Sequence, residues 1–169
     1  MHLQEIFMAK KSKARLIFTI GNVSCETGFS VVVPVKVVTY KNAQFGVGGG
    51  FNLAVDILPS GPGLPKGITL NPIVSGEDHF SNPVLNTAFN NMFKINGIVN
   101  SNISSNKPLV NNVPSTVFNL MFNVSTDTVR GVYPINFSSN ILTSVTDSNG
   151  NALVLYSQYK LINGSITVI

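Results

Sequence analysis

Hydrophobic positions recur at every second residue in several separate stretches, the spacing of β-strands that turn one face to a core. Arg15 to Ile20 predicts the first strand, followed by turns at Gly21-Asn22 and Glu26-Thr27-Gly28. In Ser30 to Thr39, Val31, Val33, Val35 and Val37 fall on one side, and Val32, Pro34, Lys36 and Val38 on the other. Pro34 has no N–H to give to a ladder, so this strand is expected at a sheet edge or with a bulge at the proline. Phe45 to Leu58 predicts a third strand, with Phe51, Leu53 and Val55 opposed to Gly48, Gly50, Asn52, Ala54 and Asp56. The segment Pro59-Ser60-Gly61-Pro62-Gly63-Leu64-Pro65 then forms a turn-rich connection that no helix crosses.

Shorter strands are expected at Ile68 to Val74 and Phe93 to Val99, while Glu77 to Asn91 reads as polar and irregular, with at most one helical turn near Leu85 to Asn91. Ser115 to Val124 is the cleanest amphipathic segment: Phe118, Leu120, Phe122 and Val124 face inward, Asn119, Met121 and Asn123 outward. Val132 to Phe137, Ile141 to Val145, Ala152 to Leu161 and Ser165 to Ile169 complete a set of about nine strands without crossover helices. The implied class is all-β: an antiparallel two-sheet sandwich with jelly-roll topology.

Composition sharpens this picture. With 169 residues, 44% of them hydrophobic, the chain supports one core. Residues 14–169 are read as that domain, and residues 1–13 as a disordered leader or expression-derived residues. Charged residues amount to only 11%, too few to solvate a bundle of long helices. The net charge is +4, yet five of the eleven basic residues lie before position 37, so no basic groove for nucleic acid is expected. The longest apolar run, Leu16 to Ile20, is far short of a membrane-spanning helix.

Candidate chemistry is sparse. The lone Cys25 rules out an intramolecular disulfide and lacks a basic neighbour to activate it, so it is read as a turn or core residue. Glu77-Asp78-His79 is the densest set of metal-ligand types, but three adjacent residues in an extended loop point apart, and a solvated loop is the simpler reading. Gly46 to Gly50 leads into a strand rather than a helix N-terminus, so it is not a phosphate loop. Asp147-Ser148-Asn149-Gly150-Asn151 lacks the closing glutamate of a calcium loop and reads as a hairpin turn. No catalytic residue, metal or cofactor is assigned. Trp is absent and most Phe fall at inward parity, leaving Tyr40, Tyr156 and Tyr159 as candidates for stacking on a sugar.

Several segments carry a resemblance. Val23-Ser24-Cys25-Glu26-Thr27-Gly28-Phe29-Ser30-Val31-Val32-Val33-Pro34-Val35 resembles the opening of cohesin modules. Gly46 to Asp56 resembles that family's third strand, and Thr116 to Val124 its long inner strand. Arg130-Gly131-Val132-Tyr133-Pro134-Ile135 is similar to its turn and strand of the form Gly-Thr-Tyr-Pro-Ile. Thr146 to Asn151 and Asn163 to Val168 resemble its closing hairpin and last strand. The matches run in order from about residue 14 to the last residue.

The resemblance implies a noncatalytic module that holds a dockerin-bearing protein, an enzyme of polysaccharide degradation, in a cellulosome scaffold at the cell surface or outside the cell. The dockerin carries the calcium. It also implies one open sheet face for docking, with Gly48, Gly50, Asn52, Ala54, Asn119 and Met121 as the expected partner-binding residues. Where the best-known cohesins present an Asn and an Asp just before the inward aromatic, this chain has Gly50 and Gly48, so the pairing with a particular dockerin changes. Two other readings use the same sandwich: a carbohydrate-binding module, and a surface or fibre subunit that self-associates through its edge strands.

Overall fold

The computed structural model describes residues 16–40, 50–57, 67–70, 80–90, 95–103, 109–137, 144–147, 149–153 and 159–169. The strands are β1 (Leu16–Ile20), β2 (Asn22–Cys25), β3 (Ser30–Thr39), β4 (Gly50–Ile57), β5 (Ile68–Leu70) and β6 (Phe80–Asn90). They continue with β7 (Ile95–Ile103), β8 (Ser115–Val124), β9 (Gly131–Phe137), β10 (Ser144–Thr146), β11 (Tyr159–Ile162) and β12 (Gly164–Val168). A five-stranded sheet runs β11-β1-β3-β8-β5, and a seven-stranded sheet runs β2-β12-β9-β4-β7-β6 with β10 also paired to β4. The all-β sandwich expected from the alternation is thus the observed architecture.

The two sheets close on each other through the inward sets. Phe18, Val33, Val35, Phe118, Leu120 and Phe122 come from the five-stranded sheet; Phe51, Tyr133, Ile135, Val145 and Ile166 come from the other. Phe51 joins the layers: its ring meets Phe18 edge-on at 5.9 Å and lies near-parallel to Phe118 at 6.0 Å. Such aromatic contacts add to the burial of apolar area that holds the sandwich shut.

Two chain segments switch sheets at one corner. The turn expected at Gly21-Asn22 is instead a one-residue step, and the chain enters β2 in the seven-stranded sheet as it leaves β1 in the other. Asn163 makes the same step between β11 and β12. Both pairs run parallel, β1 beside β11 and β2 beside β12, so the sandwich is antiparallel except along these outer strands. At the crossing the backbones come so close that a Cβ on Gly164 would collide with the carbonyls of Gly21 and Ile20, which is why glycine stands there. Ser165 N–H donates to the Gly21 carbonyl at 3.3 Å, and Phe137 N–H donates to Asn163 Oδ1 at 3.0 Å.

Pro34 is not at an edge, since β3 lies between β1 and β8. Its carbonyl accepts from Gly21 N–H at 2.8 Å, on the β1 side and just beyond the last β1 partner, Ile20 opposite Val35. Atoms N and O of one strand residue face the same neighbour, so the absent N–H costs no bond to β8. The strand carries no bulge at the proline; the irregularity nearby is on the partner strand, where the β3–β8 register shifts at Val35/Lys36, Val117 is the extra residue of β8, and Val117 and Phe118 are both buried in succession.

The segment expected to be irregular from Glu77 to Asn91 holds an eleven-residue strand, β6. Its pairing with β7 is broken between Ser81 and Val84 and again between Leu85 and Thr87. Each break resets the parity, so no continuous alternation survives in the sequence. As the outermost strand of its sheet, β6 also tolerates Pro83.

Candidate functional site

The expected contact residues separate onto the two layers. Gly50, Asn52 and Ala54 lie on β4, inside the seven-stranded sheet, whereas Asn119 and Met121 lie on β8, in the five-stranded sheet. Gly48 lies outside the described residues. Outward faces of two packed sheets point away from each other, so these residues do not line one docking face, as the sequence reading had expected. Period-two spacing assigns a residue to the outside of a strand without saying which sheet the strand joins.

Around β4 the register gathers small and uncharged residue types. Gly50 stands opposite Asn102 and Thr146, Asn52 opposite Asn100 and Ser144, and Ala54 opposite Ile98. Gly50 N–H donates to Thr146 Oγ1 at 3.1 Å, and that hydroxyl in turn donates to the Gly50 carbonyl at 3.3 Å, which clamps β10 to the start of β4. The same sheet continues through β9, β12 and β2 with Val132, Pro134, Asn136, Ser165, Thr167, Asn22 and Ser24 at the less buried positions. Ser165 Oγ donates to Asn22 Oδ1 at 3.0 Å. Asp56, opposite Asn96 and Asn136 near the end of β4, is the charged residue type at this parity; the others named carry no charge, so docking over the Gly50–Ala54 part strips no ion of its water.

The other layer differs. Asn119 and Met121 are half-buried opposite Pro34 and Val32, and the same face exposes Lys36 and Lys160. Asn100, Asn102 and Ser144 were missed as neighbours of Asn52 and Gly50, because strand pairing carries no signal at any fixed spacing in the chain.

The remaining candidates resolve individually. Cys25 is a core residue, 7% exposed; burial, and secondarily the charge of Glu26, push its thiol above the usual range, which lowers its thiolate content. Asp147 is a structural turn residue. Its carboxylate accepts from the Asn149 and Asn151 N–H groups, both at 2.9 Å, and from Asn151 Nδ2 at 3.1 Å. Chiefly the Asn151 side-chain bond, then the backbone bonds, hold its carboxyl below the usual range against its desolvation. Among the described residues no three His, Cys, Asp or Glu side chains cluster as metal ligands, and no helix is long and apolar enough to cross a membrane. Glu77-Asp78-His79 and Tyr156 lie outside the described residues. Tyr159 is a core residue at 4% exposure and offers no ring to a sugar, and Tyr40 is half-buried; among the described residues the exposed aromatic is Phe29, at 61%.

No protein-family model matches the sequence, and no curated protein matches it significantly. Solved structures do match by shape. A type I cohesin–dockerin complex from Clostridium thermocellum aligns with a TM-score of 0.62 at 18% identity, covering 91% of this chain and 99% of that one. The seventh ScaB type I cohesin of Pseudobacteroides cellulosolvens aligns at 0.60 and 20% identity, covering 91% and 92%. A non-cellulosomal cohesin from the hyperthermophilic archaeon Archaeoglobus fulgidus aligns at 0.60 and 17% identity, covering 92% of each chain. At these identities the likeness is one of fold: the chain has the jelly-roll sandwich fold of cohesin modules.

Proposed function

We propose that this chain is a noncatalytic recognition module of the cohesin type, which captures a dockerin-bearing protein on the outer face of the seven-stranded sheet around β4. The observation that carries the reading is the shared fold with cohesins solved in complex with dockerins, over nine-tenths of the chain. The small-residue register around Gly50, Asn52 and Ala54, with Asp56 as its charged residue type at the end of β4, supports the choice of layer. A hydrogen-bonded sheet face is preorganised, so little ordering entropy is lost on docking, and a few central contacts dominate the affinity. With Gly50 on β4 and Gly48 two residues before it in the sequence, the partner's own side chains supply more of the polar contacts there than in cohesins with Asn and Asp at those places. The captured protein is an enzyme of polysaccharide degradation, and the assembly works at the cell surface or beyond it.

The test is calorimetric titration of the purified chain against a panel of calcium-loaded dockerins. One or more dockerins should bind; Ala54→Arg should weaken that binding by about 30-fold or more, while Asn119→Ala and Met121→Ala leave it unchanged. Failure of the whole panel would remove the reading, and loss of binding through the β8 variants alone would move the face to the other sheet.

The fibre-subunit reading receives less support. The strand β6, outermost of its sheet among the described residues, carries Pro83 and two register breaks, features that discourage strand addition by a second copy.

A further inference from the structure

At the opposite layer from β4, where the β2–β3 turn meets the end of β8, the surface forms a cavity of about 440 Å³. Its size is that of a small-molecule site. Phe29 stands at its lip, 61% exposed, although apolar rings of this size are normally taken into the core. Ser30, Thr69, Asn123, Ser125 and Thr126 supply the polar part of the wall.

The site is held in shape by the backbone. Gly28 N–H donates to the Val124 carbonyl at 2.8 Å, and Val124 N–H donates to the Phe29 carbonyl at 2.9 Å, which ties the aromatic turn to β8. On the far wall Ser125 N–H donates to the Gly67 carbonyl at 2.8 Å. Ser30 Oγ donates to Asn123 Oδ1 at 2.6 Å across β3 and β8. Register places Thr69 opposite Asn123, so three polar side chains stand in one cross-strand row beside the ring.

The chemistry of the wall selects its occupant. No lining residue is charged, so an ionic ligand would lose hydration with no counter-charge in return. Hydroxyl and amide groups both donate and accept, matching vicinal hydroxyls, which also do both. An exposed ring at the rim offers a flat apolar face for the C–H face of a pyranose. We propose that this cavity is a binding site for a neutral saccharide, with Phe29 as the stacking residue and Ser30, Thr69 and Asn123 as the hydroxyl-binding row. With a single aromatic the affinity falls in the millimolar range, about −4 kcal/mol at a Kd of 1 mM. The site lies on the sheet that does not contain β4, so it does not depend on the dockerin reading.

Titration of the isotopically labelled full chain, followed by amide chemical shifts, tests this with cellohexaose, xylohexaose, mannohexaose and laminarihexaose as probes. At least one should give saturable shifts at Gly28, Ser30, Thr69 and Asn123. Phe29→Ala should weaken binding by at least about tenfold with an unchanged melting temperature, and Phe29→Tyr should retain it. The proposal is overturned by an absence of saturable shifts with all four probes, by shifts centred elsewhere, or by binding that survives Phe29→Ala. It also fails if these residues respond only to a dockerin, which would make the cavity part of a protein interface.

Discussion

Single residues set how closely the two layers of this sandwich can approach. Gly164 lies where two backbones cross, and a methyl group there would strike the Gly21 and Ile20 carbonyls, backbone atoms of the facing β1–β2 segment that a side-chain rotation cannot move aside. Gly164→Ala is therefore expected to cost about 3 kcal/mol, at the upper end of overpacking, measured as a fall in the urea midpoint without a change in slope. Thr128 presents the reverse case. Its side-chain hydroxyl is buried without a hydrogen-bond partner among the described residues, beneath Gly67, whose φ of +83° and lack of a side chain make room for it. Thr128→Val keeps the shape and removes the unsatisfied group, so the melting temperature should rise by about 2–4 °C.

Asp147 gives the turn before β11 its pH dependence. Its carboxyl is held below the ordinary range when folded, so its contribution is complete above that range and is lost as pH falls through the folded value. Melting temperature should decline on acidification in the wild type, and Asp147→Asn should flatten the part of that decline lying below the ordinary carboxylate range. An unchanged acid limb in the variant would show that other groups carry it.

At the scale of elements, the period-two spacing of β3, β8 and β9 was legible because β3 and β9 alternate over their buried lengths and β8 does so from Phe118 to Val124, and Val33, Leu120 and Ile135 lie where that spacing puts them. The bulge near Pro34 was not signalled by the proline, because its extra residue is Val117 on β8 whereas the N–H that Pro34 lacks would face β1. β6 was illegible for the opposite reason, since two register breaks cut it into pieces too short to show a period. β2 was missed because Gly21-Asn22 has the composition of a turn, while the tight corner uses only Gly21. The load between layers concentrates in Phe18, Phe51 and Phe118. Phe118→Ala, which empties a fully buried position facing Phe51, should cost roughly 3–5 kcal/mol, read from chemical denaturation.

For the molecule as a whole, the sandwich presents two outer faces of different chemistry. One, centred on β4, is built of uncharged residue types apart from Asp56 near the end of β4; the other exposes Lys36 and Lys160 and ends in the cavity beside Phe29. Because they lie on different sheets, the two proposed activities should be independent. A dockerin-saturated module is expected to show the same saccharide affinity as the free one, within about twofold, in a titration of the complex. A larger change in either direction would place both ligands on one surface.

The alternation and composition of the chain were enough to determine that it is all-β, that Val33, Val35, Phe118, Leu120 and Phe122 belong to the core, and that Asn52, Ala54, Asn119 and Met121 stand at the parity opposite to it, but not that Val117 and Tyr159 are buried. Only the tertiary structure decided that β4 and β8 belong to different layers, that Pro34 sits inside a sheet, and that Phe29 is left exposed beside a cavity with a row of polar side chains. Alternation is a local consequence of the pleat and records only the side of a strand. Sheet membership comes from pairing between distant segments and from the crossing at Gly21 and Asn163, which no local spacing encodes.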